Sequence, residues 1–258
     1  MDFAYTIAGF SVGTIVGLTG VGGGSLMTPL LVLLFGVPPA TAVGTDLLYA
    51  ALTKCGGTLV HSLKGSVDWR ITARLASGSI PASILTLFLV HNFFPGGIGG
   101  ASKVISFSLG IALVLTAVAI VFRARILSYA KDHADQRDER KTARATVTVG
   151  IVLGILVSIS SVGAGALGVA VLFFLYPKLP TVKIVGSDIA HAVPLTFVAG
   201  MGHWVLGSVD VSLLGSLLLG SLPGIFIGSH ISARVPERIL RPILATVLVL
   251  VGSKLIAH

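Results

Sequence analysis

Two acidic residues stand where an apolar chain has least use for them. Asp46 in "GTDLLYA" and Asp188 in "GSDIAHA" each follow a hydroxyl residue, Thr45 and Ser187, at the head of a long apolar run. An ionised carboxylate deep in lipid costs several kcal/mol, so such a residue pairs with a charge, caps a helix, or takes and gives protons. Gly-Thr-Asp and Gly-Ser-Asp also read as helix starts, which keeps capping open beside ion pairing and proton coupling. His191, three residues after Asp188, falls on the same helical face and is a candidate to share its proton; Tyr49 holds the matching place after Asp46. Lys54 is the lysine set well inside an apolar run, where it either snorkels to a nearby surface or attracts an anion. Eight residues put it about 80° round a helix from Asp46, so a direct pair of the two needs a bend.

A second kind of chemistry lies in the backbone. "GLTGVGGGSLMTPLL", Gly17 to Leu31, breaks an apolar run with glycines and restarts it at Ser25, a residue type that caps helix N-termini. A helix beginning there turns unsatisfied N–H groups and a positive dipole end toward whatever faces it, which suits an anion. "SVGAGALG", Ser161 to Gly168, repeats the device later in the chain. The bends Gly20 to Gly24 and Val162 to Ala166 are therefore candidate anion-binding elements, and Thr45, Ser187 and Lys54 join them as candidate side-chain ligands. Tight helix packing is the alternative use of such glycines.

Other chemistry is poorly served. The residues offer no Ser-His-Asp or Cys-His arrangement, no multi-carboxylate centre and no Walker-type phosphate loop, so an enzyme is not expected. The single cysteine, Cys55, allows no intramolecular disulfide and no metal cluster, and is expected to be a packing residue. No metal, cofactor or catalytic residue is assigned. His61 and His203 sit near the ends of apolar runs and read as interfacial.

The elements that must position these groups follow from composition. Of 258 residues 54% are hydrophobic and 11% charged, the balance of a multi-span membrane protein, for which lipid is a partner. A net charge of +8 does not imply nucleic acid, because Lys and Arg fall mainly between the apolar runs. The opening "MDFAYTIAGF" reads as a membrane segment kept in the mature protein, without a basic leader or a cleavage site. Apolar runs fall near 3–19, 25–36, 40–60, 71–92, 103–122, 145–160, 166–176, 181–202, 211–232 and 242–257. Those near twenty residues cross a hydrocarbon core of about 30 Å, whereas runs 25–36 and 166–176 are too short and should be half-helices.

The runs also repeat. "GTDLLYA" and "GSDIAHA", "HSLKGSVD" at His61 and "HWVLGSVD" at His203, and "GSIP" at Gly78 and "GSLP" at Gly220 share one offset of 142, as the starting numbers show (186 − 44, 203 − 61, 220 − 78). Recurrence at one spacing marks an internal duplication. Residues 1–123 form a first transmembrane repeat, 124–144 a charged solvated linker and 145–258 a second repeat. With five segments per half the copies are inverted, and every Lys and Arg except Lys54, Lys103 and Lys254 then falls on one side. The positive-inside rule makes that side cytoplasmic, with the linker inside and both termini outside. The expected fold is all-α and polytopic: 5+5 inverted repeats, with eight long transmembrane helices plus two short re-entrant or broken segments. Glycine-interrupted short segments at matching places point to a secondary transporter with its site at the repeat interface.

On "GLTGVGGGSLMTPLL", "GVPPATAVGTDLL", "GSVDW" and "GSIP", echoed by "SVGAGALG", "VGSDIAHA", "GSVD" and "GSLP", the chain resembles the TauE/SafE (TSUP) family of sulfite and organosulfonate exporters over nearly its whole length. The resemblance implies transport of a small sulfur-containing anion across the cytoplasmic membrane, usually outward, with ion-binding elements on Gly22, Gly23, Gly24, Ser25, Gly163 and Gly165. Members often carry Ser where this chain has Asp46 and Asp188, and the second triplet here is Gly-Ala-Gly. The added carboxylates favour proton coupling, with Asp46, Asp188 and His191 as its groups. Two rivals stand beside sulfur-anion export: a proton- or cation-coupled permease for a small organic carboxylate, and a membrane scaffold acting through the linker.

Overall fold

A computed structural model describes residues 3–19, 24–132, 138–231 and 237–257, and every regular element among them is helical. In chain order the helices are α1 (Phe3–Thr19), α2 (Gly24–Leu33), α3 (Pro39–Leu63), α4 (Trp69–Phe93), α5 (Gly97–Gly100), α6 (Ser102–Asp132), α7 (Glu139–Ser160), α8 (Ala166–Leu175), α9 (Thr181–Val205), α10 (Val211–Ile231) and α11 (Glu237–Ala257). The two short runs appear as α2 and α8, each of 10 residues. Of the segment 124–144, the first part continues α6 to Asp132 and the last part opens α7 from Glu139, so helix occupies ground expected to be linker.

Among the described residues five helices are long and apolar enough to cross a membrane: α4, α6 over Ser102–Tyr129, α7, α9 and α10. Stretches of α1 and α11 are apolar but shorter. α3 has 25 residues but is not among the five, since it carries Asp46, Lys54 and His61 along with several threonines and glycines.

The repeated "GSVD" shows how local sequence builds the hairpins. After α3, Gly65 takes φ +63° while Gly65 N–H donates to Ser62 O and Ser66 N–H to His61 O, the paired bonds of a Schellman ending. After α9, Gly207 takes φ +73° with the matching bonds to Trp204 O and His203 O. The aspartate that closes each motif then starts the next helix. Asp68 Oδ1 accepts from the Arg70 and Ile71 amides, and Asp210 Oδ1 accepts from the Leu213 amide. One four-residue word thus ends one helix and caps its successor, twice.

Packing links the two halves of the chain more than it closes either. α1 lies along α10, and the contacts Gly9 to Leu217, Gly13 to Ser221 and Gly17 to Ile225 advance together, so the pair is parallel. α4 lies parallel to α7 in the same manner, Leu75 meeting Gly150 and Ser79 meeting Gly154. At each of these glycines a Cβ would strike the carbonyl of the facing helix, so backbone proximity depends on the missing side chain. α3 and α9 run antiparallel: Gly44 touches His203, Gly200 touches Leu48, Gly57 touches Ile189 and Gly186 touches His61. Pro81 and Pro223 interrupt α4 and α10 two residues after Ser79 and Ser221, which loosens the ladder beside the groups described next.

Candidate functional site

Asp46 and Asp188 are seven residues inside α3 and α9, because those helices begin at Pro39 and Thr181. Capping is therefore not their role, which corrects one expectation; the prolines Pro39 and Pro180 open these helices instead. Both carboxylates are buried, 0% and 1% exposed. Asp46 Oδ2 accepts from the hydroxyls of Thr28 on α2 and Ser161 after α7, the latter at 2.9 Å. Among the described residues its Oδ1 has no partner, and neither oxygen of Asp188 has one.

Ser161 belongs to a bend that lifts the chain out of α7 and into α8. Ser161, Gly163 and Gly165 adopt φ of +58°, +133° and +142°, a left-handed path that glycine accepts and other residues resist. The bend reaches α3 twice. Ser161 bonds Asp46, and the Ala164 carbonyl accepts from Lys54 Nζ at 2.9 Å. Lys54 thus neither snorkels away nor pairs directly with Asp46; about 12 Å of helix rise separates the two. It lies within electrostatic reach of Asp188 and Asp46 while bonded to the carbonyl. Among the described residues the ion pairs are Arg70–Glu139 at 3.6 Å and Arg74–Glu139 at 3.7 Å, both on the surface.

At the start of α8, Gly168 N–H donates to Gly163 O and Val169 N–H to Gly165 O. The amides of Ala166 and Leu167 precede the helix's own ladder, as the first amides of any helix do. Ala166 and Val162 pack on a cluster around Leu109, Leu113, Leu244 and Leu248, against which Leu26 of α2 also packs. α2 starts at Gly24, with Ser25 inside its first turn and buried rather than preceding it. Gly22 and Gly23 lie outside the described residues.

Thr45 and Ser187, candidates for binding an anion, are engaged in joining the halves. Asp210 N–H donates to Thr45 Oγ1 at 3.1 Å, and Asp68 N–H donates to Ser187 Oγ at 2.8 Å. The two bonds are one interaction made twice, each hydroxyl on a long helix holding the "GSVD" aspartate of the other half. They leave these hydroxyls as structural fasteners of the helices that carry Asp46 and Asp188.

His191 does not bond Asp188. Its Nε2 and Ser79 Oγ lie 2.8 Å apart, and its Nδ1 has no partner among the described residues. In the matching place the Tyr49 hydroxyl approaches Ser221 without the geometry of a hydrogen bond. His203 is fully buried, with Nε2 2.9 Å from Ser158 O, and so is no interfacial residue. Ser158 Oγ also donates to Ser83 Oγ at 2.6 Å, making α4 and α7 hydroxyl-linked beneath the glycine contact. Cys55 is exposed on α3 and packs in no interior.

Sequence reasoning missed Thr28, Ser161, Ser79 and Ser158. Ser79 and Ser221 stand inside the repeated "GSIP" and "GSLP", so the repeat held a signal for them. Thr28 and Ser161 stand in quoted glycine stretches, but their shared approach to Asp46 spans 18 and 115 residues of chain.

Residues 5–255 match the family described as sulfite exporter TauE/SafE. The chain is 38% identical over 257 residues to the probable membrane transporter protein YjnA of Bacillus subtilis, covering 99% of this chain and 100% of that one. It is 27% identical to the probable membrane transporter protein YdhB of the same organism, over 90% of this chain and 91% of the relative. A probable membrane transporter protein of Methanocaldococcus jannaschii, MJ0441, is 24% identical over 95% and 92%. No solved structure matches. With a family match running almost end to end, the chain belongs to the sulfite exporter TauE/SafE family.

Proposed function

We propose that this protein is a secondary transporter that moves a small sulfur-containing oxyanion, such as sulfite or an organosulfonate, out across the cytoplasmic membrane. The observation that carries the proposal is Lys54 Nζ held on the Ala164 carbonyl at the entry to α8. There a mobile positive charge and the amides of a helix N-terminus are brought to one place inside an apolar protein. An arriving oxyanion offers the Lys54 ammonium an acceptor of opposite charge in place of a neutral carbonyl, which adds Coulomb attraction in surroundings of low dielectric. Gly163 and Gly165 let the bend follow its left-handed path, and Gly24 and Ser25 supply the start of α2, whose Leu26 packs on the same apolar cluster as Ala166. The family's printed description, sulfite exporter, supports the substrate class.

The organisation is that of 5+5 inverted repeats. Support comes from matched helices running antiparallel (α3 beside α9), and from α1 and α4 each lying parallel to the fourth helix or first helix of the other half. In this arrangement eight long helices cross, the short α2 and α8 with the chain beside them bring the chain back across between α1 and α3 and between α7 and α9, and the basic linker lies in the cytoplasm with both termini outside. An anion leaving an inside-negative cell is favoured by about 2.3 kcal/mol per charge per 100 mV.

The test is efflux from proteoliposomes loaded separately with sulfite, thiosulfate, sulfoacetate and acetate. Faster efflux of a sulfur anion, abolished in Lys54→Met, is the expected result. Acetate moving while all three sulfur anions stay put would transfer the reading to a carboxylate permease.

A further inference from the structure

Asp46 and Asp188 hold matching places on α3 and α9, yet their surroundings differ. Two hydroxyls donate to Asp46, and none of the described residues donates to Asp188, which is equally buried. Each helix packed around Asp188 can be accounted for. α8 presents Gly168, whose absent side chain seats the carboxylate against the helix; a Cβ there would come within 3.0 Å of the Asp188 Cγ. α8 carries no titratable residue at all. α4 presents Thr72, bonded to Ser187 O, and Ser79, bonded to His191. α7 meets α9 through the Ser158 carbonyl at His203. α3 presents Lys54, whose ammonium rests on Ala164 O within electrostatic reach of both Asp188 and Asp46. On α9 itself, His191 is one turn away with Nδ1 unpartnered among the described residues, while Lys183 lies toward the helix start.

A buried carboxylate with no donor is costly as an anion unless a cation or a proton reaches it. We propose that Asp188 is a proton-binding site, loaded while Lys54 is held by the Ala164 carbonyl and emptied when the Lys54 ammonium turns to it, so that one proton accompanies each transported anion. Loading forms an O–H bond between a proton from water and an Asp188 oxygen. Release breaks that bond, returns the proton to water and leaves the carboxylate beside Lys54, so that Asp46, Asp188 and Lys54 together carry one negative charge. With Asp46 and Lys54 cancelling, protonated Asp188 leaves the cluster neutral and open to an anion, whereas ionised Asp188 repels one. Of the three residues whose types suggested proton coupling, Asp46 is then a clamp gripped by the Thr28 and Ser161 hydroxyls, and His191 a ring oriented by Ser79. A dianion accompanied by one proton still carries net charge, so membrane potential continues to favour its exit. The proposal rests on the anion-transport reading above.

Two measurements on the full-length protein in lipid test it. Infrared difference spectra across pH should show a protonated-carboxyl C=O band that titrates reversibly, disappears in Asp188→Asn, persists in Asp46→Asn and shifts without loss in Asp188→Glu. In proteoliposomes holding a pH-sensitive dye, sulfoacetate entry should acidify the lumen by one proton per anion, and Asp188→Asn should abolish that acidification while Asp188→Glu retains it. A band unchanged in Asp188→Asn, or wild-type entry at full rate without acidification, overturns the proposal. If the band behaves as expected while neither sulfite nor sulfoacetate moves, the sulfur-anion reading fails and the proton site stands.

Discussion

Gly154 supplies a packing prediction that reaches the candidate site. It lies on α7 against Ser79 of α4, and a Cβ built there meets the Ser79 carbonyl head-on, with Ser79 Cα at 2.8 Å and its carbonyl carbon at 2.9 Å. These are backbone atoms, so no rotamer change relieves them and α4 must move away from α7. Overpacking of this size costs about 1–3 kcal/mol. Moving Ser79 also stretches its 2.8 Å contact with His191 Nε2, and a buried imidazole left without that partner costs ~1–3 kcal/mol more. Against this, Gly→Ala in a helix gains about 1 kcal/mol in propensity. Gly154→Ala is therefore expected to destabilise, by roughly 1–5 kcal/mol net of these contributions. Gly215→Ala on α10 is the control, since nothing lies within 4 Å of its added Cβ, and it keeps the propensity gain of about 1 kcal/mol. Denaturing-detergent titration of the purified protein, followed by fluorescence of Trp69 and Trp204, compares them. Equal midpoints for the two variants would refute the inference that α4 and α7 are held at backbone contact.

Three further outcomes follow from the geometry. Thr28→Val and Ser161→Ala each remove one hydroxyl from Asp46 and should each destabilise by about 1.5–3 kcal/mol, with a double variant costing less than the sum; additivity in the same titration would mean that the two do not share the carboxylate. Lys54→Met should weaken sulfite binding at least about tenfold, as loss of a charged hydrogen bond predicts, read from the ligand-induced rise in melting temperature; an unchanged rise would remove Lys54 from the anion site. In a Cys55→Ser background, which removes an exposed thiol, a cysteine at Asp135 should resist an impermeant reagent added to intact cells; rapid labelling would reverse the proposed orientation.

Several elements were legible in the chain itself, and for local reasons. The "GSVD" words could be read because their parts act within a few residues: a glycine at positive φ, two short-range amide bonds and an aspartate over the next turn. The short helices α2 and α8 could be read from run length and from the glycines in the sequence before them. The site was less legible. Asp46, Asp188 and Lys54 drew notice as charges in apolar runs, but hydroxyl partners carry no such contrast in a chain rich in Ser and Thr. Thr45 and Ser187 looked like ligands because the residue type allows it, and only their bonds to the opposite half show what they hold.

Composition and spacing by themselves determined that the chain is helical, apolar along most of its runs and marked by words recurring 142 residues apart, because backbone hydrogen bonding and side-chain transfer energies act on each segment alone. Tertiary structure decided that Ser161 reaches Asp46, that Lys54 rests on Ala164 O and that Asp188 faces Gly168 with no donor. Those contacts arise where α3 and α9 cross antiparallel and the α7–α8 bend folds onto α3. Segment-level energies leave that arrangement open, and close glycine packing between the halves selects it.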